Sequence, residues 1–269
     1  MSYIFSKLNS TINYKFLLIY LKMSVNIVPI NEVYKNVCLV TFTSSSYNDI
    51  TKNLSKSIEV NNVNFNLNVF CLDKESCEFN FPKNTNLILF DNDPLEILQQ
   101  DEIMPQRHDS FGDVMLKKFE VIFESLNQFE YVIYIDGDIV VKKDFLDYIS
   151  KFINKNEMIF QNDKRPSKPN LTNLCAGFMI ITSNDKTKKF FDPKSGAYEE
   201  FKNYLTHDQT YINKKKDEFE YFILPLNKFP NGPHFYSYHE ILDPYIVHFN
   251  YIQGEEKIAK MKKLNHWYV

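Results

Sequence analysis

The chain has 269 residues, 44% hydrophobic, 16% aromatic and 24% charged, which excludes disorder as the dominant state and allows one sizeable core or two small ones. Lys and Arg number 31 against 34 Asp and Glu, a net charge of −3; with no basic excess, nucleic acid is not an expected partner. Only 6 glycines against 24 Phe and 17 Tyr exclude collagen-like and Gly-rich repeat architectures.

Residues 1–30 hold one short apolar run, Phe16 to Leu21, flanked by Lys15 and Lys22. A membrane span needs about 20 apolar residues, and a signal segment needs small residues at a cleavage site, so neither is expected. A packed extra helix or a loose extension fits this stretch better than an interfacial amphipathic helix, the one arrangement that would give peripheral membrane contact. From Val37 to Thr43 an apolar, β-branched run predicts a strand, broken by Ser44 to Ser46 and followed by Ile50, Leu54 and Ile58 at helical spacing. Leu67 to Leu72 and Asn86 to Phe90 read as two further strands, with Asp91 to Pro94 as a turn. Ser110 and Asp113 resemble a capping box ahead of Phe111, Met115, Phe119, Ile122 and Leu126, predicting a helix of about four turns. Tyr131 to Ile135 is an unbroken apolar run, suited to a strand covered on both faces of a mostly parallel α/β sheet. Past residue 140 the alternation weakens, and the second half decorates the first. No internal repeat or linker-like break appears, so residues 31–269 are expected to form a single domain. Cys38, Cys71, Cys77 and Cys175 show no C-x-x-C and no His at zinc spacing; three lie in apolar runs, predicting buried free thiols in a reducing, cytoplasmic setting.

Asp136 and Asp138 follow the buried run at its carboxyl end, where open α/β sheets bind ligands. Two acids one residue apart repel each other unless a cation lies between them. A hard divalent ion, Mn²⁺ or Mg²⁺, accepts carboxylates together with substrate phosphates. Gly137 between them lets backbone approach a ligand closely. Taken alone, the segment also reads as an ordinary Asp-Gly turn.

Six segments in order carry a resemblance: Val37 to Ser44, Lys117-Lys-Phe-Glu120, Tyr134-Ile-Asp-Gly-Asp138, Ala176-Gly-Phe-Met179, His207-Asp-Gln209 and Val247 to Lys257. Together they resemble GT-A-fold glycosyltransferases of the nucleotide-diphospho-sugar transferase group, related to the glycogenin-like retaining enzymes. The resemblance implies a Rossmann-like GT-A domain with a mostly parallel central sheet flanked by helices and a decorated C-terminal acceptor half. It implies transfer of a hexose from a nucleoside-diphosphate sugar, UDP-linked, to a hydroxyl of a glycan, protein or small molecule, with retention. Asp138 would hold the metal, Asp136 the metal and the ribose, and His248 would complete the metal site. Asp208 and Gln209 would flank the anomeric carbon as the catalytic candidates. Thr41, Thr43 and Tyr47 fall where the family holds base and ribose, Lys118 and Gly177 in the donor pocket, and Gly254 and Lys257 over the diphosphate.

The chain departs from the family pattern in two places. His248 and Gly254 are separated by five residues rather than two, with Trp267 well beyond the lysine, and Cys175 stands where relatives often carry Asn, for which Asn173 is a candidate substitute. Acceptor choice is expected in loops around Lys164 to Pro169 and Asn227 to His239.

Two other readings compete. In a haloacid-dehalogenase-like phosphatase Asp136 would be the nucleophile and Asp138 the general acid, but that motif opens its domain and needs a later acidic element absent here. A sugar-nucleotide or carbohydrate binding module without turnover would keep the fold and lose the chemistry.

Overall fold

The computed structural model describes residues 25–90, 109–164, 173–195, 200 and 207–269, with the backbone alone for 109–113 and 115. The first apolar run is strand β1 (Val37–Thr43), buried except at Phe42. Ile50, Leu54 and Ile58 line the buried face of helix α1 (Asn48–Val60) at the expected spacing. Strand β2 (Leu67–Cys71), the single turn α2 (Lys74–Cys77) and β3 (Thr85–Leu89) follow, β2 ending one residue early and β3 lying one residue earlier than the sequence limits. Helix α3 (Asp109–Leu126) begins before Ser110. That residue therefore lies in the first turn instead of ahead of it, and the helix is about a turn longer than expected. Strand β4 (Tyr131–Ile135) matches the unbroken apolar run, and the short β5 (Ile139–Val141) follows the acid pair.

The rest of the chain supplies α4 (Leu146–Ile153), β6 (Met158–Asn162), β7 (Leu174–Thr182), α5 (Asp185–Phe191), α6 (Asp208–Lys215), β8 (Tyr221–Leu224), α7 (Gly232–Tyr238), β9 (Ile246–His248) and α8 (Gly254–Lys263). Seven strands pair in the order β3-β2-β1-β4-β7-β6-β8. β7 is antiparallel to both its neighbours, while the other pairings are parallel. The C-terminal half thus adds β6, β7 and β8 to the same sheet as well as decorating it.

Successive residues of β4 enter opposite cores, as a strand covered on both faces requires. Val132 and Tyr134 pack with Phe119, Ile122 and Leu126 of α3 and with Phe190 and Phe191 of α5. Ile133 and Ile135 pack with Leu54 and Ile58 of α1 and with Phe145 and Phe229. A third, smaller core joins β5 and β9 to α7 and α8 through Val140, Val247, Phe235, Phe249 and Met261. This mini-sheet fixes where the C-terminal residues meet the acid pair.

Of the N-terminal stretch, residues 25–30 are described; there the Val28 amide donates to Asn68 Oδ1 (2.8 Å) and the Ile30 amide to the Val37 carbonyl (2.8 Å). The expected Asp91 to Pro94 turn and the polar loop after Lys164 lie outside the described residues. All four cysteines are free; Cys38, Cys71 and Cys175 are buried and Cys77 is half-buried. No helix among the described residues is long and apolar enough to cross a membrane.

Candidate active site

The acid pair sits in the turn between β4 and β5. The Asp136 amide donates to the Gly177 carbonyl of β7 (2.7 Å) and the Ile139 amide to the Asp136 carbonyl (3.1 Å), so a turn and a neighbouring strand hold the loop. The β5–β9 register sets His248 opposite Ile139, one residue past Asp138, and the Phe249 amide closes on the Asp138 carbonyl (3.0 Å). His248 Nε2 consequently lies 3.1 Å from Asp138 Oδ1 and 3.8 Å from Asp136 Oδ2. Asp138 was expected at a strand end outside the core; it is instead buried, because β9 and α8 close over it.

A second polar residue orients the imidazole. Gln161 Nε2 donates to the Phe229 and Pro230 carbonyls (3.3 and 2.9 Å), which turns Oε1 toward His248 Nδ1 at 2.7 Å. An amide oxygen only accepts, so Nδ1 carries the hydrogen and Nε2 faces the acids. Burial disfavours the charged ring, but Asp138 outweighs it and raises the imidazolium to about 10. Ligand atoms of Asp136, Asp138 and His248 all lie within 4.8 Å of one another. Neighbouring ligands on one ion with bonds about 2.1 Å long stand about 3 Å apart, so these two carboxylates and one imidazole fit Mn²⁺ or Mg²⁺. Gly177 supports the fit: a Cβ there would come within 2.3 Å of His248 Cε1 and 2.6 Å of Asp136 Oδ2, so the ligands use the space that a side chain would fill.

Two buried lysines hold the acids from opposite sides. Lys257 of α8, one turn after Gly254, donates to Asp138 Oδ2 (2.6 Å) and to the Tyr47 hydroxyl (3.0 Å). Burial opposes the charge on Asp138, yet Lys257 and then His248 hold its carboxyl far below the usual range. Burial, then the Asp138 charge, pushes the Tyr47 phenol up to about 12. Lys118 of α3 donates to Asp208 Oδ2 (2.6 Å) and the Ala176 carbonyl (3.3 Å) and lies 3.2 Å from Asp136 Oδ1. Asp208, the first residue of α6 after the capping His207, is buried, but Lys118 and neighbouring donors overcome that and keep it well below its ordinary value. Gln209 accepts from the Ala176 amide at Oε1 (3.4 Å) and donates through Nε2 to Asp163 Oδ2 (2.9 Å).

Of the candidates from sequence, Tyr47, Lys118, Asp136, Asp138, Gly177, Asp208, Gln209, His248 and Lys257 meet in one connected cluster, with Gly254 at the start of α8. Thr41 and Thr43 do not join it: both are buried in β1, and Thr43 Oγ1 bonds Asn48 and Thr51 to fix the entry into α1. Gly137 was expected to admit a ligand; a Cβ there would instead strike Thr51 Oγ1 at 2.7 Å and the Tyr47 ring at 3.2 Å, so it lets α1 pack on the turn. Asn173 bonds Asp163 Oδ2 (3.0 Å), while Cys175 lies against His248 Nδ1 at 3.7 Å. Sequence reasoning missed Gln161, Asp163, Tyr134 and Tyr251. Tyr134 donates to Asp136 Oδ1 (2.8 Å), and Tyr251 donates to Asp163 Oδ2. The available signal was Gln161-Asn-Asp163, polar residues closing a buried apolar strand.

A profile of the family described as nucleotide-diphospho-sugar transferase matches residues 63–264. A UDP-galactose:fucoside alpha-3-galactosyltransferase of Dictyostelium discoideum is 22% identical over 291 aligned positions, covering 89% of this chain and 44% of that protein. The chain therefore spans less than half the length of this curated relative. Among solved structures, galactosyltransferase LgtC, in complex with donor and acceptor sugar analogs, superposes with a TM-score of 0.50 at 13% identity over 78% of this chain and 86% of its own. A glycosyltransferase involved in glycosylation of the major capsid of PBCV-1 gives a TM-score of 0.51 at 11% identity, over 84% of this chain and 99% of its own. These two likenesses bear on the fold, which is that of the GT-A glycosyltransferases. With the matched profile covering most of the chain, the protein belongs to the nucleotide-diphospho-sugar transferase family of glycosyltransferases.

Proposed function

We propose that residues 31–269 form one GT-A domain that transfers a hexose from a UDP-sugar to a hydroxyl acceptor, with retention at the anomeric carbon and with Mn²⁺ or Mg²⁺ bound. The observation that carries this reading is the convergence of Asp136, Asp138 and His248, from distant parts of the chain, on one buried point flanked by two lysines. The ion, when bound, neutralises the diphosphate as negative charge builds on the leaving group. Gln161 holds the imidazole with Nε2 toward that position, and Tyr134 with Lys118 holds the Asp136 carboxylate. Lys257 turns from Asp138 to the diphosphate as a point charge, with Gly254 at the open end of α8 beside it. Lys118 also fixes Asp208, so that Asp208 and Gln209 face the donor sugar and stabilise the positive charge developing at its anomeric carbon. Tyr47 borders the nucleoside, and Thr43 supports that side by bonding Asn48 and Thr51 at the start of α1.

The acceptor is a glycan, a protein or a small molecule bearing a hydroxyl. The activity for which the Dictyostelium relative is named supports UDP-galactose as the first donor to try. Buried free thiols support a reducing, cytoplasmic location. A phosphatase would need the Asp136 carboxylate as a nucleophile; here Lys118 and Tyr134 engage one of its oxygens and His248 faces the other, which speaks against that role. The test is release of UDP from a panel of UDP-sugars. Turnover is expected with Mn²⁺, lost in EDTA and restored by Mn²⁺. Donor binding without turnover of any sugar nucleotide would make the chain a binding module instead.

A further inference from the structure

We propose that Tyr251 is a positioning residue for Gln209, acting through Asp163; this rests on the reading that Gln209 faces the donor sugar. Tyr251 lies in the stretch between His248 and Gly254 that is longer here than in the resembling enzymes. Its backbone takes a φ of 66°, a left-handed conformation that a bulky side chain adopts only when its surroundings impose it. Those surroundings are visible on both sides. Asn250 Oδ1 accepts from the Gly232 amide (2.7 Å), and the Asn250 carbonyl accepts from the Tyr236 hydroxyl (3.1 Å), pinning the loop to α7. The Tyr251 ring is 44% exposed, yet its hydroxyl reaches inward to Asp163, which is 1% exposed.

Asp163 Oδ2 then gathers three donors, the Tyr251 hydroxyl, Gln209 Nε2 and Asn173 Nδ2, while Oδ1 has no partner among the described residues. The two oxygens of a carboxylate are equivalent on rotation, so what the donors fix is its plane. The tyrosine hydroxyl, arriving from the C-terminal loop, is a third donor at the oxygen that Gln209 uses and holds that plane. Gln209 is thereby held with Oε1 on the Ala176 amide, beside the backbone that also carries Gly177. The loop that follows His248 of β9 and the amide proposed to face the sugar become one hydrogen-bonded unit.

Two measurements on the full chain test this. The first needs no substrate: hydrogen exchange of the Ala176 amide by NMR, which reports where Gln209 Oε1 sits. Tyr251→Phe, which removes only the hydroxyl, is expected to speed that exchange at least fivefold. Unchanged exchange overturns the proposal whatever the activity. The second uses UDP-galactose with Mn²⁺ and follows UDP release. Tyr251→Phe is expected to lower kcat about 5- to 20-fold with KM within twofold, UDP binding unchanged by calorimetry, and no further loss in a Gln209→Ala background. An unaltered kcat, an equal loss in the Gln209→Ala background, or weakened UDP binding each overturns it. Should the wild-type chain turn over no sugar nucleotide, the functional reading fails while the Ala176 measurement still decides the role of Tyr251.

Discussion

The two buried lysines of the site carry the same charge and hold neighbouring acids, but their settings differ. Lys118, 3% exposed in the middle of α3, is bound by oxygens from three separate elements, the β4–β5 turn, β7 and α6. Lys257, 8% exposed on α8, holds Asp138 and one tyrosine hydroxyl, and Asp138 keeps His248 if the lysine leaves. One ties three elements together; the other is a counter-charge whose acid has a second partner. The two lysines match in burial and charge, and differ in how many elements each joins.

Three experiments test this difference. The largest effect is expected at Asp138, the acid that Lys257 holds: under the proposed metal role, Asp138→Asn should lower Mn²⁺-dependent UDP release on the order of 10³-fold, a loss typical of removing an electrostatic partner of the transition state. Near-normal turnover in that variant would remove the metal role. Next, Lys118→Met leaves Asp136 and Asp208 without their shared cation and should cost about 3–5 kcal/mol in urea unfolding. Lys257→Met should cost less, about 1.5–3 kcal/mol, because Asp138 keeps His248. Equal losses would erase the distinction between tie and counter-charge. The smallest effect concerns pH. Asp208 titrates below its ordinary 3.8 in the folded protein, so its contribution to stability is present above that pH and is lost as pH falls through the depressed value. Asp208→Asn should flatten the decline in unfolding free energy below pH 3.8 and leave its shape near neutrality unchanged. An identical acid limb in both proteins would show that Lys118 does not hold Asp208 in solution.

The parts of this arrangement legible in the sequence were those with a local signal. The run Tyr131 to Ile135 announced a strand buried on both faces, and the acids that follow it announced chemistry at its carboxyl end. His248, Asp208 and Lys257 came from family resemblance, since a lone histidine or lysine has no local pattern. Burial of Asp138 was not legible, because it depends on β9 pairing with β5, and no periodicity in β4 reveals a partner that far along the chain. Asp163 was missed for a related reason: its partners Gln209 and Tyr251 lie 46 and 88 positions away, and alone it reads as a loop acid. The Ser110 capping pattern misled because the helix already includes Asp109, which puts Ser110 inside its first turn.

The long separation between Asp138 and Lys257 also bears on how the chain is made. They stand 119 positions apart, so at roughly 5 to 20 residues per second a ribosome adds the lysine roughly 6 to 24 s after the aspartate. During that interval strands β1 to β4 are already synthesised, while the Asp138 carboxylate still lacks the lysine that will cover it. A chain cut short before α8 would keep Asp136, Asp138 and His248 and lack Lys257, the counter-charge on Asp138.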